Sequence, residues 1–207
     1  MAPIEWDEEL ARPVVEGRVF DPSTFSWVAA PEGAGGGMVS AAESLRRLAA
    51  AGPIRRVPVG VIGPREAEPH QAHTAEKLGR ALALHGLQLL CGGKSGVMEA
   101  ACRGHAEAGG LPIGILPDEE WQGANPFVAI PIATGIGPAR NAIIARACIA
   151  LVAVGGGVGT LSEMALGLQF GRLVLSMAGA PKVEGVPVVA GVEEVVERIA
   201  GRILSPV

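Results

Sequence analysis

Four glycines in five positions, Gly155, Gly156, Gly157 and Gly159, stand between an apolar run and a segment of helical pattern in VAVGGGVGTLSE, residues 152–163. Glycine has no Cβ to hold a ligand away and admits backbone angles closed to other residues, so consecutive N–H groups can turn toward one anion. One or two glycines would make a tight strand-to-helix turn. Four point to a phosphate seated on the start of a helix. Thr160 and Glu163 add a second question. Their T-x-x-E spacing is that of a capping box, in which each side chain satisfies the other's backbone N–H. A carboxylate beside an anion site would repel the ligand unless it faced a sugar or a water, and a reacting sugar would give that charge a use. The spacing leaves both readings open.

Arg140 and Asn141 follow GIGP at the start of another helical segment, where a guanidinium can pair with phosphate in a bidentate manner. Arg65, in GPR at the end of an apolar run, is a further phosphate candidate, and Gly92 and Gly93 open a second Gly-rich loop, GGKSG. That loop resembles the end of a P-loop, but Gln88 stands where its first glycine belongs, so Lys94 and Ser95 are not an ATPase site. GxGxxG starting at Gly155 fails at Thr160, which removes support for a dinucleotide. Glu99, one turn beyond GGKSG, either reaches the pocket or complements its helix N-terminus. His70 and His73 share a helix face without the carboxylates that would complete a metal site, so no metal is expected. Ser162 lacks the strained G-x-S-x-G setting of a nucleophile. Met98 and Met164 follow the two Gly loops at similar offsets and read as core contacts.

Residues of this kind need a scaffold that gathers loops. From about residue 56, short apolar runs alternate with amphipathic stretches, and Gly or Pro marks nearly every junction, which is the rhythm of an α/β protein with a parallel sheet. Strands are predicted at 56–63, 87–91, 111–116, 127–132, 148–154 and 173–177, with crossover helices in the segments between and a closing helix at VEEVVERIAGRIL. In such a sheet the ligand sits beyond the C-terminal strand ends, where GPR, GGKSG and GGGVGT would converge. Residues 1–54 differ. GAGGGM at 33–38 separates a hairpin pattern, VVEGRVF and TFSWVAA, from a helix near 40–51. This reads as an N-terminal extension without a chemical signature, ahead of a main domain over 55–207.

The 207-residue chain carries a net charge of -4 and 3% aromatic residues with no tyrosine, so it lacks both the cationic field and the stacking platforms of a nucleic-acid binder. It is 49% hydrophobic, yet no long apolar run escapes charges or glycine clusters, and no membrane span is expected. The acidic start MAPIEWDEEL is unlike a signal peptide, which gives a cytoplasmic expectation. Cys91, Cys102 and Cys148 have no metal-ligand spacing and read as core thiols.

GVIGPR, CGGKSGVMEAACRGHAEAGG and GPARNAIIARACIALVAVGGGVGTLSEMAL, in this order, resemble the LOG/SLOG superfamily over about 56–180. The resemblance implies a Rossmann-like, doubly wound parallel sheet with helices on both faces, and a homodimer or higher homo-oligomer. One branch, the cytokinin-activating phosphoribohydrolases, cleaves nucleoside 5′-monophosphates with a PGGxGTxxE motif preceded by an Arg-Lys pair. Here Val154 replaces the proline and Asn141 the lysine. Those departures are closer to the branch of the molybdenum-cofactor carrier proteins, which bind a phosphorylated pterin. For a carrier, the resemblance implies that Gly155–Thr160 hold the phosphate of a molybdenum cofactor bound as ligand. For a hydrolase, which requires no cofactor, Arg140 would orient the substrate and Glu163 would stabilise an oxocarbenium-like sugar and position water. A ligand-sensing regulator is a third expectation. None of Lys77, Lys94 and Lys182 has the setting of a pyridoxal Schiff base, which argues against the lysine decarboxylase label often given to relatives.

Overall fold

Chain segments that are apolar on every side can only sit in the middle of a layered fold. The strand Ala150–Val154 is buried at all five positions. The computed structural model describes residues 2–205, in two units. The larger comprises residues 57–83 and 87–195. Its strands are β6 (Pro58–Ile62), β7 (Gln88–Cys91), β8 (Ile113–Leu116), β9 (Ile130–Ala133), β10 (Ala150–Val154) and β11 (Leu173–Met177). They form one sheet in the order β11-β10-β6-β7-β8-β9, with every neighbouring pair parallel. Helices α2 (Pro69–Leu84), α3 (Val97–Glu107), α4 (Asn141–Ala147) and α5 (Val158–Gln169) flank it. This is the Rossmann-like α/β fold that the resemblance implies. Pro69 opens α2, where its missing N–H costs nothing and its fixed φ suits a helix.

From β6 the chain moves through α2 and α3 toward β9 on one side, then returns through α4 to place β10 on the other side of β6. The order therefore reverses between β6 and β10, and the crevice at their C-terminal ends is the topological switch point. Beneath it, Ile62, Leu90, Ile144, Leu151 and Met164 belong to one buried apolar cluster. The three cysteines are free and buried.

The smaller unit comprises, of the described residues, 2–56, 84–86 and 196–205. In it β1 (Ile4–Asp7), β2 (Arg12–Val15), β3 (Arg18–Asp21), β4 (Ser26–Ala29) and β5 (Gly37–Val39) form an antiparallel sheet in the order β4-β3-β2-β1-β5. The stretch predicted as one arm of a hairpin, VVEGRVF, holds two strands. Glu16 and Gly17 both take positive φ, 48° and 71°, and turn the chain between them. Trp6, Val14, Phe20, Leu45 and Leu48 are among its buried side chains. Helix α1 (Ala41–Ala51) starts on Ser40, whose Oγ accepts from the Glu43 N–H at 3.1 Å. Glu197, on α6 (Val192–Leu204), accepts from the N–H groups of Ala41 and Ala42 at 3.1 and 2.9 Å. The contacts thus group the end of α6 with the N-terminal segment rather than with the rest of 55–207. Among the described residues, no helix is long and apolar enough to cross a membrane.

Candidate functional site

At the switch point a cleft of about 340 Å³ opens, and strand ends supply its walls. Gly63, Pro64 and Arg65 follow β6, Gly92 follows β7 and Pro117 follows β8. Helix α5 contributes Gly157, Gly159, Thr160 and Glu163, and the short turn before α4 contributes Pro138 and Arg140, with Asn141 at the helix start. Eight residues singled out in the sequence thus line one space: Arg65, Gly92, Arg140, Asn141, Gly157, Gly159, Thr160 and Glu163.

Gly93, Gly155 and Gly156 do not line the cleft but shape its loops. Gly93 turns the chain with φ +69° and donates its N–H to the Cys91 Sγ at 3.3 Å. Gly155 donates its N–H to the Met177 carbonyl at 3.1 Å. Gly156, at φ +128°, lies against Thr160, and a Cβ there would collide with that side chain.

Helix α5 begins at Val158 with Gly157 as its N-cap and no side-chain cap. Thr160 is the third residue of the helix and Glu163 the sixth, so the capping-box reading fails. A helix starting two residues before Thr160 satisfies the Glu163 N–H within its own ladder, so that group needs no bond from the Thr160 hydroxyl. The first intrahelical bond runs from the Leu161 N–H to the Gly157 carbonyl at 2.9 Å. The N–H groups of Val158, Gly159 and Thr160 precede it, at the electropositive end of a helix of 12 residues.

Glu163 faces Arg140 instead. The Arg140 Nη1 lies 3.2 Å from the Glu163 Oε1, and both side chains are 9% exposed. Nη1 also donates to the Asn141 Oδ1. Asn141 donates through Nδ2 to the Ser162 Oγ at 3.1 Å, and Ser162 donates to the Gly159 carbonyl at 2.7 Å. This chain of bonds fixes the guanidinium to the Gly loop. The Arg140 Nε is buried and has no hydrogen-bond partner among the described residues. A Cβ on Gly92 would stand 2.5 Å from the Arg140 Nη2, so a side chain there would displace the guanidinium from its present position.

Burial pushes the Glu163 carboxyl up to about 7, against the pull of Arg140 toward the charged form. Burial also lowers the Arg140 pKa, which Glu163 partly counteracts. For both partners desolvation outweighs the pairing. The carboxyl titrates near 7 in the folded chain against 4.5 ordinarily, so between those values the folded state holds the extra proton. Stability relative to Glu163→Gln is therefore expected to fall as pH rises through that window. Denaturant midpoints of both proteins at about pH 5 and pH 8 check this, and a difference independent of pH would overturn it.

Several lining residues carried no signal of their own. Ile62, Met98, Pro117 and Pro138 give the cleft apolar walls. Met98, read as a core contact, lines the cleft, whereas Met164 is fully buried in the core. Gln71 packs its amide where a Cβ on Gly155 would be, accepting from the Glu68 N–H at 3.1 Å and donating to the Ala178 carbonyl at 3.3 Å. Position at a strand end beside the switch point was the signal that could have found the proline walls. Lys94 is held by Asp118 at 2.5 Å and by the Gly123 carbonyl at 2.8 Å, and Ser95 donates to the Arg65 carbonyl at 3.1 Å. Neither lines this cleft. Among the described residues, no group of His, Cys, Asp and Glu could hold a metal ion.

The chain is similar to proteins of known structure over this part of its length. The molybdenum cofactor binding protein from Rippkaea orientalis is 36% identical, with a TM-score of 0.68 over 73% of this chain and 99% of that one. The molybdenum cofactor carrier protein from Chlamydomonas reinhardtii is 37% identical, with a TM-score of 0.68 over 73% of this chain and 100% of that one. An uncharacterized protein of Archaeoglobus fulgidus is 40% identical over 143 residues, 69% of this chain and 94% of its own. Residues 56–198, which hold every residue of the cleft, match the family model, and the chain belongs to the SLOG cluster4 family.

Proposed function

We propose that the cleft binds a phosphorylated heterocyclic ligand and that the protein is a carrier of the molybdenum cofactor, a phosphorylated pterin. The observation that carries this reading is the buried Arg140, its Nε without a partner among the described residues, beside the N–H groups that open α5. A phosphate there would receive the helix N–H groups and the guanidinium together, a charge-assisted arrangement. Ile62, Met98, Pro117 and Pro138 suit the carbon-rich part of such a ligand beside its phosphate. The two cofactor-binding and cofactor-carrying proteins of similar fold support the choice of cargo. The carrier would act in the cytoplasm as a homodimer. Ile143 of α4 with Leu161 and Leu168 of α5, each at least 36% exposed, offer an apolar face for that association.

Gly157→Val tests the reading with little disturbance of the fold. Gly157 has φ -134°, and a Cβ there meets nothing within 4 Å. The added side chain stands at the phosphate's approach. Protein purified from cells that make the cofactor is expected to retain phosphorylated pterin, read as fluorescence after oxidation, and Gly157→Val is expected to lose most of it. Equal retention by the folded variant would sink the assignment of the phosphate to this loop.

One observation favours a second reading, a nucleoside 5′-monophosphate phosphoribohydrolase. Glu163 is a buried carboxyl poised near neutrality in the cleft, the condition suited to general acid-base work. Release of free base from a panel of monophosphates, abolished in folded Glu163→Gln, would decide for hydrolysis. No release, with ligand still bound, would decide for the carrier.

A further inference from the structure

Arg65 lines two cavities. One is the cleft at the switch point, and the other, of about 280 Å³, is bounded by Arg65, Lys94, Ser95, Glu99 and the Gly123–Asn125 segment. A ligand anchored by its phosphate in the first can extend past Arg65 into the second. Most polar groups of the second cavity are already committed to the protein. Lys94 is neutralised by Asp118, and Ser95 is bonded to the Arg65 carbonyl. Asn125 donates through Nδ2 to the Lys94 carbonyl at 3.0 Å and accepts at Oδ1 from the Phe127 N–H at 3.1 Å. These bonds make a rigid wall.

Glu99 is the exception. It is half-buried in the first turn of α3 and has no hydrogen bond or ion pair with any described residue. The structure keeps an acceptor-only group at a cavity wall with its capacity unused, and a carboxylate offers two oxygens side by side. That pair matches two parallel N–H donors. A 2-amino-4-oxopyrimidine ring presents them, a ring N–H next to an exocyclic NH2, whereas adenine presents a ring acceptor at the corresponding place and meets the carboxylate with repulsion.

We propose that the second cavity is the subsite for the ligand's heterocycle, and that Glu99 selects a 2-amino-4-oxopyrimidine ring, such as guanine or a pterin, over adenine. The inference rests on the phosphate assignment made above for the first cleft. It makes Glu99 a specificity residue and leaves anion binding to Arg140 and α5.

Calorimetric titration with inorganic phosphate, GMP, IMP and AMP tests it. The intact protein is expected to bind GMP at least about tenfold tighter than AMP, with IMP between them because it lacks the 2-amino group. Glu99→Gln is expected to bring GMP down to the level of AMP and leave phosphate affinity unchanged. Glu99→Asp, which keeps the charge, retains the order of preference. Equal affinity for GMP and AMP in the intact protein, or an undiminished preference in Glu99→Gln, overturns the proposal. Phosphate binding without base preference overturns this inference alone, whereas failure to bind phosphate and all three nucleotides overturns the phosphate assignment as well.

Discussion

Arg140→Ala is expected to lower the affinity for a phosphorylated ligand by about 10- to 100-fold, the scale of a lost hydrogen-bonded charge contact. The guanidinium is already oriented by Glu163 and Asn141, so the ligand spends no side-chain entropy in organising it. The remaining N–H groups of α5 hold the residual affinity. The fold is expected to survive for a reason that lies in Glu163. Without the guanidinium, burial acts on this carboxyl unopposed, its pKa rises further above its present value of about 7, and it takes up a proton at neutral pH. A neutral carboxyl is far cheaper to bury than an unpaired anion. The variant's stability should accordingly fall as pH rises from about 4.5 to the new pKa, where the folded state holds a proton that the unfolded chain has released, and level off above it. Calorimetry with inorganic phosphate and melts from about pH 5 to alkaline pH check both parts. Unchanged phosphate affinity in the folded variant would remove Arg140 from the site.

The sheet was legible because its strands are written in apolar runs with Gly and Pro at their ends, and β10 could be nothing but a central strand. Arg140 and the Gly loop were legible by residue type. The partnership of Arg140 with Glu163 was not, because it joins positions 23 apart that only the packing of α4 on α5 brings together. T-x-x-E spacing allowed a cap at Thr160, but the preceding Val158-Gly159 pair is also helical and moves the start upstream. A local motif cannot reveal that shift. The small unit was read least well for a different reason. Its strands are three or four residues long, and β1, IEWD, alternates too briefly to show a period. Met98 shows a third limit. Methionine suits a core and a ligand wall equally, and only the reversal of strand order at β6 and β10 decides between them.

Gly104→Val is expected to cost about 3 kcal/mol or more of stability, which places it among the severe single substitutions. Helices α2 and α3 touch backbone to backbone at two reciprocal points. A Cβ on Gly104 would run into the carbonyl oxygen of Glu76, and a Cβ on Gly79 into that of Ala101. Each helix thus offers a glycine to a carbonyl three residues from its partner's glycine, and neither contact can be relieved by turning a side chain. The helices must separate, and both carry buried residues next to the contact in sequence, Ala75 and Leu78 on α2 and Ala101 and Cys102 on α3. Better helix propensity returns at most about 1 kcal/mol. The two sites share one interface, so a double substitution should cost less than the sum of its parts, since the first has already parted the helices. Denaturant unfolding measures this, with Gly157→Val as the control because its side chain enters open space. A loss below about 1 kcal/mol for Gly104→Val would show that α2 and α3 can slide apart at little cost. The expected loss would also reach the cleft, because Met98 in the first turn of α3 lines it and moves with that helix.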